Sequence, residues 1–317
     1  MDVFVIFGQM LVLFSMMLLG YFVYRIGWVT DDTSARLSKL VVNIFNPVLV
    51  INGVLLRSGG ADVGKIGSNL LLVVLYFVIL FFFSYIMVFL LRPKRETKSI
   101  YRLMTIFSNL GFMGIPVVKS IYGNDAVIYV AFYILGYNLL VYTYGMVLTQ
   151  RAAREKNGEE QKNTGGGIKE SLLHMINPGV IASVAAILIF AADLKLPSYV
   201  NTFCDYVGNA TIPLSMMLIG VSIAQVDIKK MFGDVRIYLF IAVRMILLPV
   251  LVIFVMRNIA IDAVVFGVFI IEFGMPVGSI ITLMAKESGA DAEYCTKGTV
   301  LSTLASIVTI PLVCAFL

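Results

Sequence analysis

The sequence predicts an all-α membrane protein of ten transmembrane helices, arranged as two inverted five-helix repeats with the fourth and ninth helices broken. Three observations predict it. Of 317 residues, 60% are hydrophobic and only 14% charged, with a mean hydropathy of +0.95; a soluble domain has roughly 45–50% apolar and about 25% charged residues. The apolar runs fill the chain end to end, which excludes a soluble enzyme, and at ~20 residues per span the length holds about ten spans. The second observation is an alternation of basic residues between successive connections, and the third is a pair of matching Gly/Pro strings, one in each half.

Cutting at clusters of charges and turn formers gives segments at about 3–24, 36–56, 67–91, 100–121, 125–149, 172–192, 199–223, 235–256, 261–285 and 295–316. The first begins Met1-Asp2 and runs uncharged from Val3 to Tyr24, without a basic leader or a small-residue cleavage site, so it reads as a retained span. Trp28 follows it as an interfacial anchor. The longest connection, Arg151 to Glu170, mixes charges of both signs with Gly165-Gly166-Gly167 and reads as a flexible linker. The chain thus divides into a first repeat (1–150), a cytoplasmic linker (151–171) and a second repeat (172–317).

Counting Lys and Arg on alternate sides of this arrangement gives 18 against five, with Arg244 inside a span. The rich side comprises residues in 25–39, 92–102, 151–169 and 229–236 together with Lys286 and Lys297; the poor side holds Arg57, Lys65, Lys119, Lys195 and Arg257. Basic connections stay in the cytoplasm. Both termini are therefore expected outside, in a plasma or bacterial inner membrane. The net charge of +5 is topology and implies no nucleic acid.

Five spans is an odd number, so the second half enters the membrane from the opposite face. Its strings match the first: Gly114-Ile115-Pro116 then Gly123-Asn124-Asp125-Ala126, against Gly274-Met275-Pro276 then Gly289-Ala290-Asp291-Ala292. Asn46-Pro47 with Gly53 likewise corresponds to Asn209 to Pro213 with Gly220. Pro116 and Pro276 lack an amide hydrogen, and the flanking glycines favour non-helical backbone, so each span is expected to break there. Freed backbone groups at the membrane midplane must meet a wet cavity or a ligand, and the positive end of the following half-helix suits a carboxylate. A proline kink stabilised by neighbouring helices is the plainer alternative.

Asn109-Leu110-Gly111-Phe112-Met113-Gly114-Ile115-Pro116 resembles the fourth-span signature of the auxin efflux carrier family, Ser302 to Leu312 is similar to its last span, and Pro213 to Gly220 to its seventh. The short linker resembles the microbial members. The resemblance implies a scaffold of helices 1, 2, 6 and 7, a mobile transport domain of helices 3–5 and 8–10, crossing of the two broken helices, and alternating-access transport of a small organic anion. Carried over by position, it places the substrate at Asn109 and at the crossing of Pro116 and Pro276; Gly111, Gly114 and Gly274 of the same strings, and Asn46, which precedes Pro47 and has a counterpart in Asn209, are candidates beside them.

Ile271-Glu272-Phe273-Gly274-Met275 departs from that family and resembles the Glu-x-Gly-Met stretch of bile acid sodium symporters, where the glutamate helps bind sodium. Arg244 and Glu272 fall at similar depths, counting ~1.5 Å per helical residue. Three readings stand: a structural ion pair, a cation site for sodium or a proton at Glu272, and direct substrate contact by Arg244. Asn43, Asn46, Asn52 and Asn138 are cavity or interhelical hydrogen-bonding residues, and Lys119 either attracts the anion or snorkels.

Cys204, Cys295 and Cys314 have no metal or disulfide spacing, His174 is the single histidine, and no Walker or hydrolase string occurs. No cofactor is expected beyond a coupling ion, sodium or a proton. The partners expected are the anion and the bilayer, with a homodimer as the assembly to test. A receptor that binds the anion without transporting it is the alternative function.

Overall fold

The computed structural model describes residues 3–55, 63–158, 178–192, 194–225 and 233–317. Among these the chain is helical throughout, and the single β feature is an isolated antiparallel bridge between Ser108 and Val277. In chain order the helices are α1 (Val3–Arg25), α2 (Asp31–Leu55), α3 (Val63–Leu91), α4 (Lys98–Ile106), α5 (Leu110–Tyr122), α6 (Asn124–Asn157), α7 (Pro178–Ala191), α8 (Ser198–Ala224), α9 (Val235–Met256), α10 (Ala263–Gly274), α11 (Ile280–Ser288) and α12 (Ala292–Cys314). Seven of them, α1, α2, α3, α6, α8, α9 and α12, are long and apolar enough to cross a membrane, and α5, α7 and α10 are shorter apolar helices. The predicted fourth and ninth segments are each two helices, α4 with α5 and α10 with α11. The linker begins later than expected: α6 runs to Asn157 and is capped by Gly158 at φ 72°. Residues 159–177, including the triple glycine and the start of the sixth segment, lie outside the described residues.

Local chemistry sets the ends. Thr30 accepts from the Thr33 amide at 3.3 Å, and Asp31 and Asp32 follow in the positive first turn of α2. Asp262 accepts from the amides of Val264 and Val265 at 3.0 and 3.2 Å to start α10. Asp291 does the same for Tyr294 in α12.

Among the described residues four helices contain a widened π turn, and three of these turns end two positions before a proline: Val41–Phe45 before Pro47, Leu110–Gly114 before Pro116, and Val243–Leu247 before Pro249. A proline ring clashes with the carbonyl four residues back. Widening that turn moves the carbonyl aside, and the helix continues. This corrects the expectation for Pro116, which sits inside the continuous helix α5 and not in a break.

Backbone contact joins α1 to α8. A Cβ added at Gly20 would lie 2.0 Å from the Met217 carbonyl oxygen, and one at Gly220 would lie 1.8 Å from that of Met17. Only glycine permits that approach, a common device between membrane helices. α8 also packs on α2, and α2 on α7, while α3, α4, α10 and α12 pack around one another. Large apolar side chains such as Leu71, Phe82, Phe89 and Val255 point outward, as a lipid-facing surface requires.

Bonds between connections tie the basic-rich segments together. Glu155 accepts from the Ser99 amide and hydroxyl at 3.0 and 2.9 Å, Lys156 reaches the Ala290 carbonyl at 3.4 Å, and Gln225 donates to Asp31 at 2.9 Å. Lys65 pairs with Asp262 at 2.9 Å among the basic-poor connections.

Candidate functional site: two broken helices bonded at their breaks

Between α4 and α5 the chain is non-helical at Phe107 to Asn109, and between α10 and α11 at Met275 to Gly278. These two stretches run antiparallel and bond to each other: the Asn109 amide donates to the Pro276 carbonyl at 2.7 Å, and the Gly278 amide to the Phe107 carbonyl at 2.9 Å. The Val277 amide donates to Ser302 Oγ of α12 at 3.0 Å. Backbone groups that a broken helix would leave costly in an apolar interior are thus paired across the crossing. Gly278 is needed for the approach, because a Cβ there would come within 3.0 and 3.1 Å of the Ser108 and Phe107 carbonyl oxygens.

Arg244, 1% exposed, holds the crossing from α9. Its Nε donates to the Thr105 carbonyl at 2.9 Å, one Nη to the Phe273 carbonyl and the other to Ser108 Oγ at 2.6 Å. Thr105 and Phe273 lie in the last turns of α4 and α10, where unsatisfied carbonyls concentrate negative charge. One guanidinium therefore caps both half-helices, using its fixed fork of donors.

The ion pair between Arg244 and Glu272 is not formed. Glu272 is fully buried, and neither carboxylate oxygen has a hydrogen-bond partner among the described residues. Similar depth did not bring the side chains together, because the arginine turns toward the half-helix ends. The Glu272 carboxylate instead faces α5: a Cβ added at Gly114 would lie 2.8 and 2.9 Å from its oxygens.

Other predicted residues gather here. The Asn109 side-chain oxygen accepts from the Phe112 amide at 3.2 Å and starts α5, while its Nδ2 is buried with no acceptor among the described residues. Asn46 abuts the same turn, since a Cβ at Gly111 would meet its Nδ2 at 3.0 Å, and its Oδ1 is buried without a donor. Pro276 is in the second break and Gly274 ends α10, but Pro116 is seven residues past Asn109, the second residue of the regular part of α5. Asn43 and Asn138 donate only to carbonyls four residues back on their own helices.

A second polar chain lies farther along α5. Lys119 Nζ donates to Asn209 Oδ1 at 2.8 Å, Asn209 Nδ2 to Asp205 Oδ1 at 2.7 Å, and Asn52 Nδ2 to the same oxygen at 3.3 Å. Asp205 escaped the sequence reading. An acidic residue four before Asn209 within an apolar segment was the available signal. Ser108 and Ser302 carried none, being ordinary small polar residues until the crossing brings them to backbone donors and to Arg244.

Several long apolar helices around two mutually bonded helix breaks define a multi-pass membrane protein. The chain belongs to the membrane transport protein family, that of the auxin efflux carriers, whose model matches residues 5–314. It is similar to an uncharacterised transporter of Methanothermobacter thermautotrophicus, 23% identical over 94% of this chain and 93% of the relative. An uncharacterised transporter of Methanocaldococcus jannaschii is also 23% identical, over 95% of this chain and 96% of its own length.

Proposed function

We propose that the chain is a secondary transporter of a small organic anion, a carboxylate or dicarboxylate, working by alternating access around the bonded breaks. One observation carries the reading. Asn109 Nδ2, a buried donor at the positive start of α5, has no acceptor, and a carboxylate supplies one while gaining from the helix terminus. Asn46, Gly111, Gly114, Gly274 and Pro276 complete the surround. Counted with α4–α5 and α10–α11 as interrupted spans, and α7 as a short one, the helices number ten and fit two inverted five-helix repeats. The packing of α1, α2, α7 and α8 suits a scaffold, and the remainder a mobile domain moving as an elevator.

Glu272 is the candidate for ion coupling. A buried carboxylate without a hydrogen-bond donor is neutral or holds a cation, so it suits a proton or sodium, and Arg244 is excluded as its counter-charge by its own three bonds. On the charge asymmetry both termini lie outside and residues 151–171 in the cytoplasm. A thermal-shift screen of the purified protein against organic acids, with and without sodium, tests the reading: an acid that stabilises the wild type and not Asn109→Ala supports it. Equal stabilisation of both proteins moves the site elsewhere.

A further inference from the structure

The two half-helices that leave the crossing end alike. α5 carries Lys119 four residues before Gly123, and α11 carries Lys286 three residues before Gly289; these glycines have left-handed φ of 82° and 80°. Each is followed by any residue, Asp and Ala. The two lysines are nevertheless in opposite situations. Lys119 is held by Asn209, and through Asp205 and Asn52 this chain of bonds stitches α5 to both α8 and α2. Lys286 is exposed, and its ammonium has no hydrogen bond or ion pair among the described residues.

Lys286 lines an open cavity of about 420 Å³ that separates α11 from the other ends of the same two helices. Asp31, Ser34 and Ser38 of α2 and Ser222 and Gln225 of α8 form its far wall. Asp31 is the one anion among the lining residues and Lys286 the one cation. The molecule is therefore fastened to α2 and α8 at one end of the crossing and parted from them at the other.

We propose that Lys119 and Lys286 are the two halves of an alternating latch. In the conformation described, Lys119 closes one face on the Asn209–Asp205–Asn52 chain while the Lys286 face stands open. In the opposite conformation Lys119 is released to water and Lys286 crosses the closed cavity to Asp31. Each ammonium is hydrated when its face is open and bonded when it is shut, so neither state leaves a charge stranded. Such an exchange supports two discrete arrangements of comparable free energy. The inference rests on the carrier reading and deepens it by assigning what holds each face closed.

The test uses full-length protein in which Cys204, Cys295 and Cys314 are replaced by alanine. Lys119→Cys with Asn209→Cys, and Asp31→Cys with Lys286→Cys, are combined in one chain and treated with a short bifunctional thiol reagent, and bridges are counted by mass spectrometry. The latch predicts one bridge per molecule, of either kind. Two bridges in one molecule, or no Asp31–Lys286 bridge at all, overturns it. Independently, Ser222→Cys reports cavity access: adding Lys119→Ala should slow its labelling by about tenfold or more, the size expected from losing one charge-assisted hydrogen bond, whereas Lys286→Ala should not slow it. Unchanged labelling in Lys119→Ala counts against the latch. Neither readout uses a substrate, so reciprocal bridging in a protein that moves no organic acid would remove the carrier reading and leave the latch standing.

Discussion

The two breaks that meet at the centre are made by different means. At Met275 to Gly278 a proline lies in the non-helical stretch, and a glycine ends it where two carbonyls approach. At Phe107 to Asn109 no proline is present, and the helix opens where Asn109 turns its side chain to the Phe112 amide and its own amide to Pro276. The difference teaches that the second break supplies the acceptor which holds the first open. Proline enforces one break, and pairing across the crossing enforces the other. Arg244 serves both equally, because it binds the last turn of each preceding half-helix.

Arg244→Ala should accordingly produce the largest effect, since it strips donors from two buried carbonyls and a hydroxyl at once. At about 1–3 kcal/mol for each unsatisfied buried group, the loss should be about 3 kcal/mol or more, seen as a collapse of the thermal transition in detergent. Arg244→Lys should recover only part of it, because an ammonium lacks the fork that spans all three acceptors. Gly114→Ala comes next. Its methyl would press on the Glu272 carboxylate, and overpacking of this kind costs about 1–3 kcal/mol; Glu272→Ala in the same chain should relieve much of the loss, measured as a double-mutant cycle.

The two prolines then sharpen the comparison directly. Pro276→Ala should weaken anion binding about tenfold, the equivalent of about 1.4 kcal/mol, by letting backbone refold where the break is needed. Pro116→Ala, inside a continuous helix, should bind within about twofold of wild type, a difference well below 1 kcal/mol. Equal losses in a titration of both variants would mean that the breaks are not made differently.

The smallest effect on stability is expected at Glu272. With no ion pair to Arg244, Glu272→Gln should cost no more than about 1 kcal/mol, in contrast to the ~3–5 kcal/mol of a broken buried pair. Its consequence should appear in coupling, as loss of the sodium or pH dependence of binding, read by repeating the titration across sodium concentrations and pH.

Much of this architecture was legible in the residues. Apolar runs located the helices to within a few positions over most of their lengths, because in a bilayer length and polarity alone constrain a span. Gly114, Glu272 and Pro276 stood out singly because Gly, Pro and ionisable residues are conspicuous against an apolar background, whereas Asn109 was reached through the family resemblance; that they adjoin one another was not legible. The position of the first break was not, since a π turn lets Pro116 remain helical and the deciding bond comes from a segment 167 residues away, Asn109 to Pro276. Of the three readings of Arg244 and Glu272 the ion pair fails for a related reason: depth along a helix is a one-dimensional estimate, and the carbonyls that Arg244 binds carry no signature in sequence. Asp205 was missed because its role appears only when α2 and α5 meet α8.

The central claim is that the bonded breaks form the site of a carrier for small organic anions, and counterflow in proteoliposomes tests it most directly. Vesicles loaded with an unlabelled organic acid that stabilises the purified protein are diluted into the labelled acid, and its accumulation is followed for wild type, Pro276→Ala and Pro116→Ala. The account predicts saturable accumulation by wild type and Pro116→Ala and its loss in Pro276→Ala. Saturable binding by the wild type with no accumulation in the vesicles would contradict it and favour a receptor.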